Sequence, residues 1–293
     1  MKKLLWCATV AGVVFLQSCE EKGVDIDFGS KGKVTDTSYT TSVEAAQARV
    51  VLLEEFTGAS CTNCPAGHVA VSNILSANPN KVVAVAYHTF IPGTIFEPVK
   101  EATHKSKYDF RTKSGTDIGV NIYGVNSIPV AGVDRGMYSG SRLLPRTEWA
   151  NQVTQRVSVA APVNIHLTSV YKSANNEVTV KVKVAYTAAV SKKNNLTIGV
   201  TENDIIDAQA FPDRVEEDYE HSHVLRQLLT PLYYGVSIKD DVTTKQPGFV
   251  YEYTYTFEPD PSWKLENCKV IAFVSTNETT DKEVLQAAEV SLK

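Results

Sequence analysis

The chain has 293 residues with 33 acidic and 29 basic side chains, a formal net charge of −4. No basic patch of the kind that nucleic-acid binding requires is present, and that class of function is excluded. The ~275 residues that follow a short leader are enough for two domains, each with its own core.

Lys2 and Lys3 form a positive start, and Leu4 to Leu16 form an apolar run too short to span a bilayer. Leu16-Gln17-Ser18-Cys19 closes that run with the pattern of a bacterial lipoprotein cleavage site. The expected mature chain starts at Cys19, acylated on its sulfur and amine, which makes a stable anchor. Loss of residues 1–18 removes two lysines, so 27 basic residues face 33 acidic ones and the mature net charge is −6. No later apolar run is long enough to cross a membrane. Cys7 leaves with the leader and Cys19 carries lipid, so Cys61, Cys64 and Cys268 remain. An envelope compartment permits disulfides, and Cys61–Cys64 is the expected pair. Cys268 opens a strand-like run and reads as a small buried hydrophobe.

Residues 20–44 are rich in Gly, Ser, Thr, Asp and Lys and read as a tether. Arg49 to Phe56 reads as a buried strand, followed by Cys61-Thr62-Asn63-Cys64. Pro65 suits the first turn of a helix whose apolar side carries Val69, Ile74 and Leu75. Asn78-Pro79-Asn80 stops that helix, and Lys81 to Tyr87 is a second buried strand, completing a βαβ unit. Residues 88–121 read as an irregular insertion with a short helix over about 100–111. A short strand is expected after Pro129 and a hairpin near Asp134 to Gly136. Trp149, Val153 and Val157 recur every four residues, the spacing of an amphipathic helix.

After Pro162 the pattern changes. Val178, Val180, Val182 and Val184 alternate with polar residues, as do Leu196, Ile198, Val200 and the series Tyr251, Tyr253, Tyr255, Phe257. Period two without intervening helices predicts an antiparallel sandwich. Between these strands lies an acidic segment, 211–235, whose Glu216 to Glu220 run reads as a solvated loop.

Cys61 and Cys64 admit three readings. As an exchanging dithiol, Cys61 is the thiolate nucleophile and Cys64 resolves the mixed disulfide. As a staple, the pair is a permanent structural disulfide. A zinc knuckle needs four ligands, and no second cysteine pair exists. His68, four residues after Cys64, reads mainly as a packed helix histidine. His221 and His223 form a metal or ligand pair with Asp218 or Glu220, or else simply pack, and Val224 to Leu229 looks helical. The tyrosine series is a ligand platform or, more simply, core. No phosphate loop, dinucleotide fingerprint or nucleophile-elbow serine is present, and no cofactor or metal is expected.

The first half resembles the thioredoxin superfamily at three places: Cys61 with Cys64, Glu55 six residues earlier, and Ile128-Pro129 after Tyr123-Gly124-Val125. The resemblance implies a buried acid at Glu55, which accepts the Cys64 proton if the pair exchanges, and a cis peptide before Pro129, packed on the disulfide. Ser60 stands where the family has Trp, and Thr62-Asn63 where it has Gly-Pro. Over residues 49–290 the chain resembles the Omp28-related lipoproteins of Bacteroidetes, through Phe56-Thr57-Gly58, Cys61 to His68, and His221 to Arg226. That resemblance implies an outer-membrane, lipid-anchored protein of α/β plus all-β class. Its expected parts are a signal peptide (1–18), a lipidated tether (19–44), a thioredoxin-like domain (45–160) and an antiparallel, Ig-like β-sandwich (161–293). Two functions remain: a module that binds envelope or extracellular proteins and peptides, for adhesion or uptake, and an envelope thiol–disulfide oxidoreductase.

Overall fold

The computed structural model describes residues 32–101 and 104–293. The expected signal peptide, Cys19 and the first part of the tether lie outside the described residues. The first strand is β1 (Lys33–Thr40); then come β2 (Val51–Thr57), helix α1 (Cys64–Ala77) and β3 (Val82–His88). Helix α2 (Lys113–Ile118), β4 (Val130–Val133) and α3 (Trp149–Arg156) follow. The remainder is strand: β5 (Val163–Lys172), β6 (Glu177–Tyr186), β7 (Asn194–Glu202), β8 (Ile205–Ala210), β9 (Val215–His221) and β10 (Val224–Leu228). The short β11 (Val236–Ser237) precedes β12 (Phe249–Phe257), β13 (Cys268–Thr276) and β14 (Val284–Ser291).

Every residue of β2 and β3 is buried, which is why both read as continuous apolar runs rather than alternating ones. They pair in parallel from Val51–Val82 to Thr57–His88. Side chains alternate across a sheet, so Val51 and Leu53 face α1 and α3, packing with Val71, Ile74, Trp149 and Val153. Leu52, Phe56, Val83 and Val85 take the other face, with Ile118, Ile122 and Phe273. The same alternation separates the two acids of the strand. Glu54 goes to the second face and Glu55 to the α1 face.

The sheet does not end at β3. Its free edge takes β10 through the parallel pair Ala86–Val224, supported by a 2.8 Å hydrogen bond from the Ala86 amide to the His223 carbonyl. From there the order runs β14-β13-β7-β10-β3-β2-β4 in one continuous sheet. The strands after Pro162 therefore pair antiparallel, as their period predicts, except at this junction. A separate four-stranded antiparallel sheet, β1-β12-β6-β5, packs on β7 and β13. The core between them holds Val178, Val180, Val182, Val184, Tyr251, Tyr253 and Tyr255 against Leu196, Ile198, Val270 and Ala272. The tyrosine series is core packing.

Four local expectations are corrected. The tether ends in a strand, because Lys33–Thr40 pairs residue for residue with β12. Its side chains are almost all exposed, so backbone pairing holds it and no apolar period marks it. The short helix lies at Lys113–Ile118, not over 100–111, and starts where Thr112 Oγ1 accepts a 3.0 Å bond from the Gly115 amide. The acidic run of 216–220 belongs to β9, paired with β8 in a two-stranded ribbon. Val224–Leu228 is a strand, not a helix. It lies mid-sheet with both faces covered, Val224 against Phe110 and Ile205 and Leu225 in the cluster of Leu52 and Phe56, so adjacent apolar residues are both buried.

Candidate functional site

Cys61 follows the tight turn after β2, its amide bonded to the Gly58 carbonyl at 3.1 Å, and Cys64 opens α1. The two sulfurs are joined in a disulfide, with the Cα atoms 5.4 Å apart. Asn63 takes the N-cap position without a side-chain cap bond, and Pro65 occupies the first turn, where no amide hydrogen is needed. The Ile128–Pro129 peptide is cis, and the Ile128 carbonyl oxygen lies 3.9 Å from Cys61 Sγ.

The bridge is covered. Cys61 is 3% exposed and Cys64 is fully buried, while Thr62 and Asn63 between them are exposed. One side of the cover is the 97–98 loop: Ser60 bonds the Glu97 carbonyl through its amide (3.2 Å) and the Pro98 carbonyl through its hydroxyl (3.0 Å). The other is the β8–β9 ribbon. The Ala210 amide donates to the Ala59 carbonyl at 2.8 Å. Gln209 Nε2 donates to the carbonyls of Cys61 (3.1 Å) and Gly58 (3.4 Å). Ala59, Val99 and Ala208 pack together beneath Val215. No feature of the sequence around Cys61 announces this cover, because it comes from about 150 residues further on.

Glu55 lies on the α1 face, as its period in β2 dictates, and is 3% exposed. Helix α1 approaches it closely at Gly67. A Cβ there would stand 2.5 Å from Glu55 Oε1 and 3.1 Å from the Pro129 Cβ, so only glycine lets helix, acid and proline meet. Glu55 Oε1 has no hydrogen-bond partner. Burial pushes its carboxyl up to about 8, because the charged form loses its hydration. Cys61, Cys64, Glu55 and Pro129 are thus gathered at one end of β2.

His68 turns to the sheet, its Nε2 2.8 Å from Thr57 Oγ1 and its Nδ1 2.7 Å from the Tyr219 hydroxyl on β9. Burial, then His221 and His223, push it down to about 3. His221 and His223 do not act as a pair. His221 is buried against Phe110, Tyr219 and His88, with Nε2 unpartnered. His223 sits at a positive φ of 59° in the turn into β10, where its amide donates to Asn203 Oδ1 at 2.8 Å. Burial pushes both down to about 4. Among the described residues no three His, Cys, Asp or Glu side chains converge to hold a metal ion. Cys268, the free cysteine among the described residues, is buried at the start of β13, and burial raises its thiol to about 12.

Two buried ion clusters escape sequence reasoning. Arg135 forms a bidentate pair with Glu54 (2.7 and 2.8 Å), which also accepts from Tyr87 (2.9 Å) and Tyr123 (2.5 Å). Asp134 accepts from Arg49 (3.1 Å) and Arg156 (2.9 Å). An acid within an apolar strand is the one signal that could flag the first of these.

The Omp28 family of outer membrane proteins matches residues 117–293. HBP35 of Porphyromonas gingivalis is similar in structure, with a TM-score of 0.65 and 16% identity over 85% of this chain and 77% of that one. At that identity the likeness is one of fold. A protein of Agrobacterium tumefaciens gives a TM-score of 0.48 and 14% identity over 85% of this chain and 97% of its own. No curated protein matches the sequence significantly. With the family match covering more than half its length, the chain belongs to the Omp28 outer membrane protein family.

Proposed function

We propose that this envelope protein is a lipid-anchored module that binds envelope or extracellular proteins and peptides, in adhesion or uptake, with its Cys61–Cys64 bridge serving as a structural staple. In this reading residues 45–160 are a thioredoxin-like scaffold, residues 161–293 an Ig-like sandwich that supplies the ribbon, and Cys19 the anchor. The resemblance to the lipoproteins of Bacteroidetes supports the anchor, as does the pattern from Leu16 to Cys19.

The observation that carries the reading is the cover over the bridge. Thiol–disulfide exchange requires in-line approach of a substrate sulfur to an accessible one. Cys61 is 3% exposed, and the ribbon is bonded to its own carbonyl and to the flanking Gly58 and Ala59 carbonyls. A disulfide so enclosed fixes the β2–α1 turn whose carbonyls the ribbon bonds, and restricts the unfolded chain.

A second reading, an envelope thiol–disulfide oxidoreductase, is favoured by Glu55. This buried acid carries a proton at neutral pH and lies beside the helix that Cys64 opens. In that reading the ribbon lifts, Cys61 of the reduced dithiol attacks a substrate disulfide, and the ionised form of Glu55, a minor fraction at neutral pH, takes the Cys64 proton as that sulfur attacks Cys61 and releases the substrate thiol. A Cys64→Ser variant expressed in cells separates the two. The binding module traps no mixed disulfides through Cys61. Envelope proteins captured there, and absent with Cys61→Ser, would establish the oxidoreductase.

A further inference from the structure

We propose that the cleft between α1 and β9 binds an alkylammonium group, with Glu55 giving up its proton on binding to become the counter-ion and the apolar side of α1 as the wall for its methylene chain. The inference goes beyond the function proposed above and holds whether or not the Cys61–Cys64 bridge exchanges.

The cleft encloses about 340 Å³ and is lined by Glu55, His68, Val71, Leu75, Tyr219 and Glu220, among others. That volume is at the small end of the range for small-molecule sites. Its composition is asymmetric. Among the described lining residues there are two carboxyl groups and no lysine or arginine. Burial holds His68 and His223, also on the wall, in their neutral forms, pushed down to about 3 and about 4. No fixed positive charge stands in the way of a cation.

Other buried acids of this protein show what Glu55 lacks. Glu54 has Arg135 and two tyrosine hydroxyls. Asp134 has Arg49 and Arg156. Asp207 accepts the amides of Lys107, Tyr108 and Ala208. Glu55 Oε1 is buried with no donor at all. A buried polar atom without a partner costs on the order of 1–3 kcal/mol, and this one belongs to a residue that lines an open cleft. A cation that enters the cleft favours loss of the Glu55 proton and gives its carboxyl the partner it lacks.

The walls select which donor. Val71 and Leu75 continue the apolar side of α1 outward, and Val69 at the rim is 59% exposed. A cation on an aliphatic stem therefore fits better than a hydrated metal ion, in the way lysine stems cover apolar surface. The ammonium head has three hydrogens. Glu55, the Tyr219 hydroxyl oxygen and Glu220 are among the acceptors that line the site. The shared chemistry has two sources, the side chain of a peptide lysine and a free aliphatic amine.

The test is isothermal titration of the full chain in detergent with two probes, 1,5-diaminopentane and an acetyl-Ala-Lys-Ala-amide peptide, and with 1-pentanol as the uncharged control. At least one amine is expected to bind at one per chain, with pentanol giving no heat. Binding of the diamine alone assigns the free amine, and binding of the peptide assigns the lysine side chain. Glu55→Gln keeps the shape and removes the charge, and binding should weaken at least tenfold. Ser72→Phe places a ring in the cleft from an exposed position of α1, so it tests the site independently of the buried acid. It should abolish binding. Failure of both amines to bind, or unchanged binding in either folded variant, would overturn the proposal.

Discussion

Gln209 Nε2 donates a 3.1 Å hydrogen bond to the carbonyl oxygen of Cys61, across 148 residues of sequence. The same amide nitrogen lies 3.4 Å from the Gly58 carbonyl and 3.1 Å from that of Ala210. One buried side chain therefore satisfies the backbone on both sides of the bridge-bearing turn. Gln209→Leu removes it without removing volume, leaving the Gly58 and Cys61 carbonyls with only their bonds from the Cys61 and Cys64 amides and no tie to the ribbon through this side chain. We expect a loss of about 1–2 kcal/mol in urea unfolding, from lost hydrogen bonds at ~0.5–1.5 kcal/mol each with partial relaxation. Proteolysis should then begin within 205–221. A loss under ~0.5 kcal/mol would show that the ribbon does not depend on this contact.

Gly67 tests the close approach that gathers the site. Alanine is the better helix former by about 1 kcal/mol, so in open space Gly67→Ala would stabilise. Here its methyl meets Glu55 Oε1 at 2.5 Å and Pro129 at 3.1 Å. We expect net destabilisation of about 1–3 kcal/mol from overpacking, measured as a fall in the denaturation midpoint. A rise would contradict the geometry.

Stability should depend on pH through two opposed sets of groups. Glu55, raised to about 8, holds a proton in the folded chain that the unfolded chain loses near 4.5. Its contribution is full below that value and is lost as pH rises through about 8. His68, His221 and His223, pushed down to about 3, about 4 and about 4, act in the other direction. The unfolded chain takes up protons there below about 6.5, so stability falls as pH drops through that window. These three histidines, joined by His88, which burial also pushes well down, outweigh one carboxyl below about pH 6.5, and above it the Glu55 slope dominates. We expect a stability maximum between about pH 6 and 7. Glu55→Gln should remove the decline above it, whose slope approaches about 1.4 kcal/mol per pH unit. An unchanged alkaline limb in that variant would refute the assignment.

The Glu54–Arg135 pair is enclosed on every side, with the guanidinium also 4.8 Å from the centre of the Phe273 ring. Arg135→Met leaves a buried carboxylate with only two tyrosine hydroxyls. The expected cost is about 3–5 kcal/mol, the usual result of breaking a buried pair from one side. The double variant Glu54→Gln with Arg135→Met should recover part of it. No recovery would mean that Arg135 acts through packing alone.

How much of this was legible follows from what each signal measures. The β2–α1–β3 unit is local in sequence, and its apolar runs and cysteine spacing are visible directly. The alternation of β6, β7 and β12 was equally visible, since each has one face in the core and a ladder partner of the same kind. The β3–β10 junction was not, because a single parallel pair, Ala86 with Val224, leaves no pattern. β1 was missed for the opposite reason, since its exposed side chains look like those of a tether. At the site, Glu55 was readable from its distance to Cys61 in sequence. Tyr219, Gln209 and His88 were not, because their relation to it exists only after the ribbon has crossed the sheet edge.

The central claim is that the Cys61–Cys64 bridge is shielded by the β8–β9 ribbon. The most direct measurement is its rate of reduction by dithiothreitol, read by alkylation and mass spectrometry, in the native full chain and in the same chain unfolded by urea. The account predicts that the native bridge is reduced at least a hundredfold more slowly, and that Gln209→Leu recovers much of the difference. Equal rates in the native and unfolded chains would contradict it.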